Sequence, residues 1–146
     1  LDSGRLSVGA AALGLAERAL ETGLRYAMER KAFGEPIAQF QLIQAMLADS
    51  KAEIYASECM MLDACARSER GRASLEASAF KMFATEMCGR VVDRVVQIHG
   101  GAGYLAEYEA ERLFRDARIY RIYEGTTQIQ QLVIAKQMIR DFAARS

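Results

Sequence analysis

The sequence predicts an all-α fold, an antiparallel four-helix bundle, on three observations. Good helix formers (Ala, Leu, Met, Glu, Arg and Gln) dominate its 146 residues. Only one proline is present to break a helix. Apolar residues recur in steps of three and four, with no alternation of the kind a strand needs.

The first stripe is Leu6, Ala10, Leu13, Ala16, Leu20, Leu24 and Ala27, one continuous helical face. It stops at Phe33-Gly34-Glu35-Pro36, where glycine can end a helix and proline cannot continue one. A second run carries Phe40, Ile43, Leu47, Ile54, Met61 and Cys65 and ends in the polar stretch Ser68–Arg72. The third holds Ala77, Phe80, Ala84, Met87, Val91, Val95 and Ile98 and stops at Gly100-Gly101. A short helix is expected near Glu107 to Arg115, and a last one from Gln128 through Ile129, Val133, Lys136 and Ile139. Thr127 and Gln130 fit a capping box at its start. Long amphipathic helices joined by short loops bury their stripes against one another, which gives the bundle.

At this length the chain reads as one domain with a real core. Nineteen basic residues balance nineteen acidic ones, so no overall field points to nucleic acid or an anionic membrane. No apolar run reaches the length of a membrane span, so no membrane insertion is expected. Cys59, Cys65 and Cys88 form no CxxC pair, which suits reduced thiols, and the lone His99 makes a zinc site a poor reading. A di-iron bundle needs Glu-x-x-His pairs, whereas Val96 stands three residues before the only histidine. The chain opens on Leu1 rather than Met and reads as a piece of a longer protein.

Function has to come from the loops, because helical cores look alike. Gly101-x-Gly103-x-x-Ala106 matches a relaxed dinucleotide fingerprint, but that motif needs a strand before it and here a helix precedes it. The glycines read equally as a helix C-terminus and as a place of close backbone approach. Glu124 lies beside Gly125 just ahead of the last helix, whose positive end favours an ionised carboxylate. Expelling water around it would strengthen it as a general base. Taken alone it is an ordinary loop carboxylate, and Thr126, Thr127 and Gln128 are ordinary capping groups.

The segments R-x-x-FG (Arg30 to Gly34), FQ (Phe40-Gln41), QIHGGxGY (Gln97 to Tyr104) and RDARI-x-x-IYEGTTQIQ (Arg115 to Gln130) change that reading together. Their order and spacing resemble the C-terminal helical domain of acyl-CoA dehydrogenases, from Leu1 to about Lys136. The resemblance implies that Glu124 is the catalytic base, removing the substrate α-proton while the β-hydride passes to FAD and leaves a trans-2-enoyl-CoA. It implies that the main-chain N–H of Glu124 helps bind the thioester carbonyl and that Tyr123 and Gly125 line the acyl cavity. Some relatives place the base near the start of the first helix; the matching residue here is Gly4, which cannot act. Asp2 and Arg5 match positions that hold the CoA portion or the thioester end.

For the cofactor, the resemblance gives Arg30 the FAD pyrophosphate of a neighbouring subunit, where a guanidinium can form paired charged hydrogen bonds. Phe33, Phe40 and Gln41 match positions near the adenosine portion of that FAD, with Gln97, Ile98, His99, Gly100 and Gly101 forming a cradle around it. Thr126 and Gln128 match contacts to the FAD of their own subunit. Arg115 and Asp116 are expected to form a structural ion pair. The implied partners are an acyl-CoA substrate, an electron-transfer flavoprotein and further copies of the chain in a dimer or tetramer. The implied compartment is the cytoplasm in a bacterium or the mitochondrial matrix in a eukaryote. An N-terminal helical domain and a middle β-domain are missing, so this piece by itself is expected to associate but not to hold FAD tightly or turn over substrate. An acyl-CoA oxidase and a non-catalytic assembly bundle are the competing readings.

Overall fold

A computed structural model describes residues 2–145, and Leu1, which prompted the reading of a fragment, lies outside them. The chain folds as α1 (Asp2–Glu29), β1 (Lys31–Ala32), β2 (Glu35–Pro36), α2 (Gln41–Arg70), α3 (Ser74–His99), α4 (Glu109–Ala117) and α5 (Thr127–Ala143). Short 3-10 turns occupy Ile37–Gln39, Gly100–Tyr104 and Arg118–Arg121. Consecutive long helices run antiparallel, so α1 and α3 point the same way and α2 and α5 oppose them. None of the helices is long and apolar enough to cross a membrane among the described residues.

α3 is the centre, packing against α1, α2, α4 and α5. Its predicted stripe from Ala77 to Ile98 is buried throughout, as expected for a helix covered on several sides. Each large apolar side chain so buried contributes roughly 1.5–3 kcal/mol.

α1 differs from expectation. Leu13, Ala16 and Ala27 are buried as expected and Leu6 and Leu20 pack partly against the core, but Ala10 and Leu24 are exposed, and Val8, Ala12, Ala19 and Gly23 complete the inward face. Small residues win that face because α3 approaches closely: a Cβ at Gly9 would lie 2.5 Å from the Phe80 ring. On α5 the expectation is inverted. Thr127 and Gln130 are buried, while Ile129, Leu132, Met138 and Ile139 stand 47–69% exposed. Cys65, assigned to the α2 stripe, is exposed, as is Cys59, and Cys88 is buried. The hairpin of β1 and β2 was invisible to periodicity because each strand has two residues.

Candidate active site

Two groups of residues singled out by the sequence lie at opposite ends of α1. That helix has 28 residues and so spans about 42 Å at a rise of about 1.5 Å per residue.

At the far end, Phe33 and Gly34 form the two-residue turn of the hairpin with φ of 54° and 90°. Positive φ at both positions matches the right-handed twist of the flanking strands. It holds Phe33 out at 98% exposure, edge-on to Phe40 with ring centroids 6.1 Å apart. Arg30 is exposed just before the hairpin, and Gln41 is exposed in the first turn of α2. The end of α3 joins this group: Ile98 packs with Ala27 and Ala38, and His99 stacks on Tyr26 at 4.1 Å. His99 is buried with Nδ1 2.8 Å from the Val95 carbonyl oxygen, and burial holds its imidazole below the usual range. Gln97 is exposed, and nothing lies within 4 Å of a Cβ built at Gly100 or Gly101, which leaves that backbone open. Gly103 differs, since its Cβ would lie 2.7 Å from the Val96 carbonyl oxygen. A helix precedes this segment and a 3-10 turn forms it, so the dinucleotide-fingerprint match has no strand to stand on.

At the near end stands Glu124. It is exposed, follows the exposed Tyr123, and takes φ of 54° with Gly125 at 88°. Its carboxylate rests on the start of α1: a Cβ at Gly4 would sit 2.5 Å from Glu124 Oε2. Gly4 therefore supplies the space the carboxylate occupies. Below the turn, Lys81 Nζ donates to the Gly125 carbonyl oxygen at 2.7 Å, and Gln130 Nε2 donates to the carbonyl oxygens of Glu124 and Gly125 at 3.0 and 3.1 Å. Burial pulls the Lys81 ammonium below its ordinary range and Arg5 adds to this, while the carboxylates of Glu86 and Glu124 oppose it.

The cap of α5 corrects the expectation by one residue. Thr126 is the N-cap, its hydroxyl accepting from the Ile129 N–H at 3.3 Å. Thr127 instead donates to Glu86 Oε1 at 2.7 Å, and Gln130 reaches the turn carbonyls rather than the cap. Arg121 Nε lies 3.3 Å from Glu86 Oε2, a charge contact without hydrogen-bond alignment. Gln128 is exposed in the first turn. The expected pair of Arg115 with Asp116 is also corrected, because Arg115 binds Glu111 one helical turn back at 2.8 Å.

Asp2 and Arg5 meet at 2.9 Å, and the Ser74 hydroxyl donates to Asp2 at 2.8 Å. They open onto a cavity of about 380 Å³ that adds Arg72, Lys136 and Arg140, four cations against one carboxylate. The sequence reading missed this basic cavity because its residues come from three helices and from the turn before α3. It missed Lys81 because a lysine four residues after Ala77 reads as the polar edge of a stripe, although α3 has no polar edge there.

The chain matches the family model "Acyl-CoA dehydrogenase, C-terminal domain" over residues 1–139. It is 47% identical over 141 residues to a probable acyl-CoA dehydrogenase of Bacillus subtilis, covering 96% of this chain and 37% of that protein. It is 43% identical over 141 residues to a subunit of the caffeyl-CoA reductase–Etf complex of Acetobacterium woodii, with coverages of 96% and 37%. The structure of a Bacillus anthracis acyl-CoA dehydrogenase complexed with FAD superposes with a TM-score of 0.90 at 36% identity, over 98% of this chain and 28% of that one. The chain thus spans a little over a third of the curated relatives it matches. The motifs at both ends of α1, the bundle that carries them and these matches agree, and the chain belongs to the acyl-CoA dehydrogenase family as its C-terminal helical domain.

Proposed function

We propose that the protein carrying this domain is an FAD-dependent acyl-CoA dehydrogenase in which Glu124 removes the α-proton of an acyl-CoA thioester. The observation that carries the reading is the Glu124 carboxylate, exposed on a left-handed turn and resting in the space left by Gly4. When bound, FAD supplies the acceptor for the β-hydride, and the trans-2-enoyl thioester is left once the proton has gone to Glu124. The Glu124 main-chain N–H and the walls formed by Tyr123 and Gly125 align the thioester. The cavity beside Asp2 and Arg5 fits the phosphates of coenzyme A, since Arg72, Lys136 and Arg140 give it a net positive lining.

The cofactor residues fit a dinucleotide shared between copies of the chain. Arg30, Phe33, Phe40, Gln41 and Gln97–Gly101, open at Gly100 and Gly101, lie at one end of α1, and Thr126 and Gln128 lie with Glu124 at the other. The length of α1 separates the clusters by more than one dinucleotide spans, so a complete site draws one cluster from each of two subunits. The outward apolar residues of α5 supply a surface for such association. Electron-transfer flavoprotein is the proposed acceptor; a relative in an Etf complex supports it. Because the chain spans a little over a third of its curated relatives, the acyl pocket proposed here is one that this domain lines in part.

The test is Glu124→Gln in the full flavoprotein, assayed with a series of acyl-CoA lengths and an artificial electron acceptor. Loss of about 10²–10⁴ in rate is expected for removal of a general base. Activity near wild type in that variant removes the base assignment.

A further inference from the structure

We infer that Lys81, with Gln130 beside it, is a positioning residue for the reaction: the two side chains clamp the carbonyls of the Glu124–Gly125 turn and so fix where the Glu124 carboxylate points. This rests on Glu124 being the base.

The geometry is specific to the turn. Both clamp side chains are 0% exposed, and between them they make three hydrogen bonds to two consecutive carbonyl oxygens. Tying the Glu124 carbonyl restrains ψ of Glu124, and tying the Gly125 carbonyl restrains ψ of Gly125. With φ at 54° and 88°, this turn is one that a free chain leaves readily, since left-handed geometry is unfavourable for a non-glycine residue. Restrained there, the carboxylate is held against Gly4.

Neither clamp residue is where packing alone would put it. A lysine is almost never fully buried unless paired. Lys81 nevertheless sits between Phe80 and Thr85 in the buried face of α3, with its ammonium spent on one backbone carbonyl. The charged groups around it are Glu86 on its own helix, Glu124 in the turn and Arg5 on α1. Gln130 leaves its own Oε1 buried without a hydrogen-bond partner among the described residues. A buried acceptor left without a donor is destabilising, a cost that an apolar side chain at the same place would avoid. The arrangement gives up stability in order to direct donors at the turn.

The test uses the full FAD-containing protein with butyryl-, octanoyl- and isovaleryl-CoA, continuing with whichever thioester reduces the wild-type flavin fastest. Lys81→Met keeps the length of the side chain and removes its donor; Gln130→Leu removes the other donor. Each is expected to slow flavin reduction at least about tenfold while KM stays within about threefold of wild type. Backbone hydrogen exchange of the Glu124–Gln128 segment is expected to speed up in both, with or without substrate. A wild-type reduction rate, unchanged exchange at the turn, or a defect confined to KM overturns the clamp. If Lys81→Met does not fold, Gln130→Leu decides by the same outcomes. Glu124→Gln run alongside keeps the two ideas apart. If it stays active, the base reading fails. If it is inactive while Lys81→Met is normal, only the clamp fails.

Discussion

Two turns in this molecule have nearly the same pair of φ angles and opposite surroundings. Phe33–Gly34 and Glu124–Gly125 each place a bulky residue at φ of 54° ahead of a glycine near 90°. The first is set by a two-residue hairpin, where strand twist alone selects the geometry. The second has no strands and is held from beneath by Lys81 and Gln130. A Cβ at Gly34 would meet nothing within 4 Å, whereas one at Gly125 would lie 2.6 Å from Gln130 Nε2. The hairpin turn presents a side chain to whatever approaches it, and the clamped turn fixes the backbone from which its side chain extends. A residue that binds by contact can be presented; a base that must meet one carbon atom has to be placed.

Alanine at the two glycines separates these designs. Gly34→Ala is expected to cost about 1 kcal/mol of stability from the left-handed backbone alone, with little change in turnover. Gly125→Ala carries the same strain and also drives a methyl into the Gln130 amide. It is expected to cost about 2 kcal/mol and to lower the rate about a hundredfold, because the base moves. Urea denaturation midpoints and single-turnover flavin reduction measure the two effects. Equal losses of rate in both variants would show that the clamp makes no difference.

The contrast also marks what the sequence could disclose. The stripe of α3 was legible because that helix is surrounded within the chain, so its period records its neighbours. The face of α5 was read inside out: its Ile129 and Ile139 look away from this bundle, and a periodicity cannot say whether its partner lies in the same chain. The α1 face was displaced because close approach to α3 favours alanine and glycine over leucine at the contact. Glu124 and Arg30 were singled out through their motifs, but their separation by the length of α1 appears only in the structure. Lys81 was not legible. One cation among apolar neighbours carries no sign that its target is a carbonyl 44 positions later.

Gly4→Ala sharpens the comparison from the other side of the base. A Cβ there would lie 2.5 Å from Glu124 Oε2, so the carboxylate must give way while its backbone stays clamped. The obstructing atom is the end of a flexible side chain, and alanine favours a helix over glycine by up to about 1 kcal/mol. Stability is therefore expected to hold or rise slightly while the rate falls about tenfold, a dissociation that a mere packing defect does not produce. A variant that loses both together would place Gly4 among the ordinary packing glycines.

The smallest effect is expected at Phe33. Asparagine tolerates left-handed geometry far better than an aromatic residue, and Asn-Gly is a favoured two-residue hairpin turn. Phe33→Asn should therefore stabilise the protein by about 0.5 kcal/mol, since a ring 98% exposed has almost no burial to lose. If Phe33 serves a neighbouring subunit's FAD, the same variant loses flavin faster on dilution, and retained flavin is measured by absorbance after gel filtration. Stability rising as flavin retention falls would show that the ring is held outward at a cost for a partner. Unchanged retention would leave the exposed ring without the role assigned to it, and the hairpin as a turn whose aromatic residue is incidental.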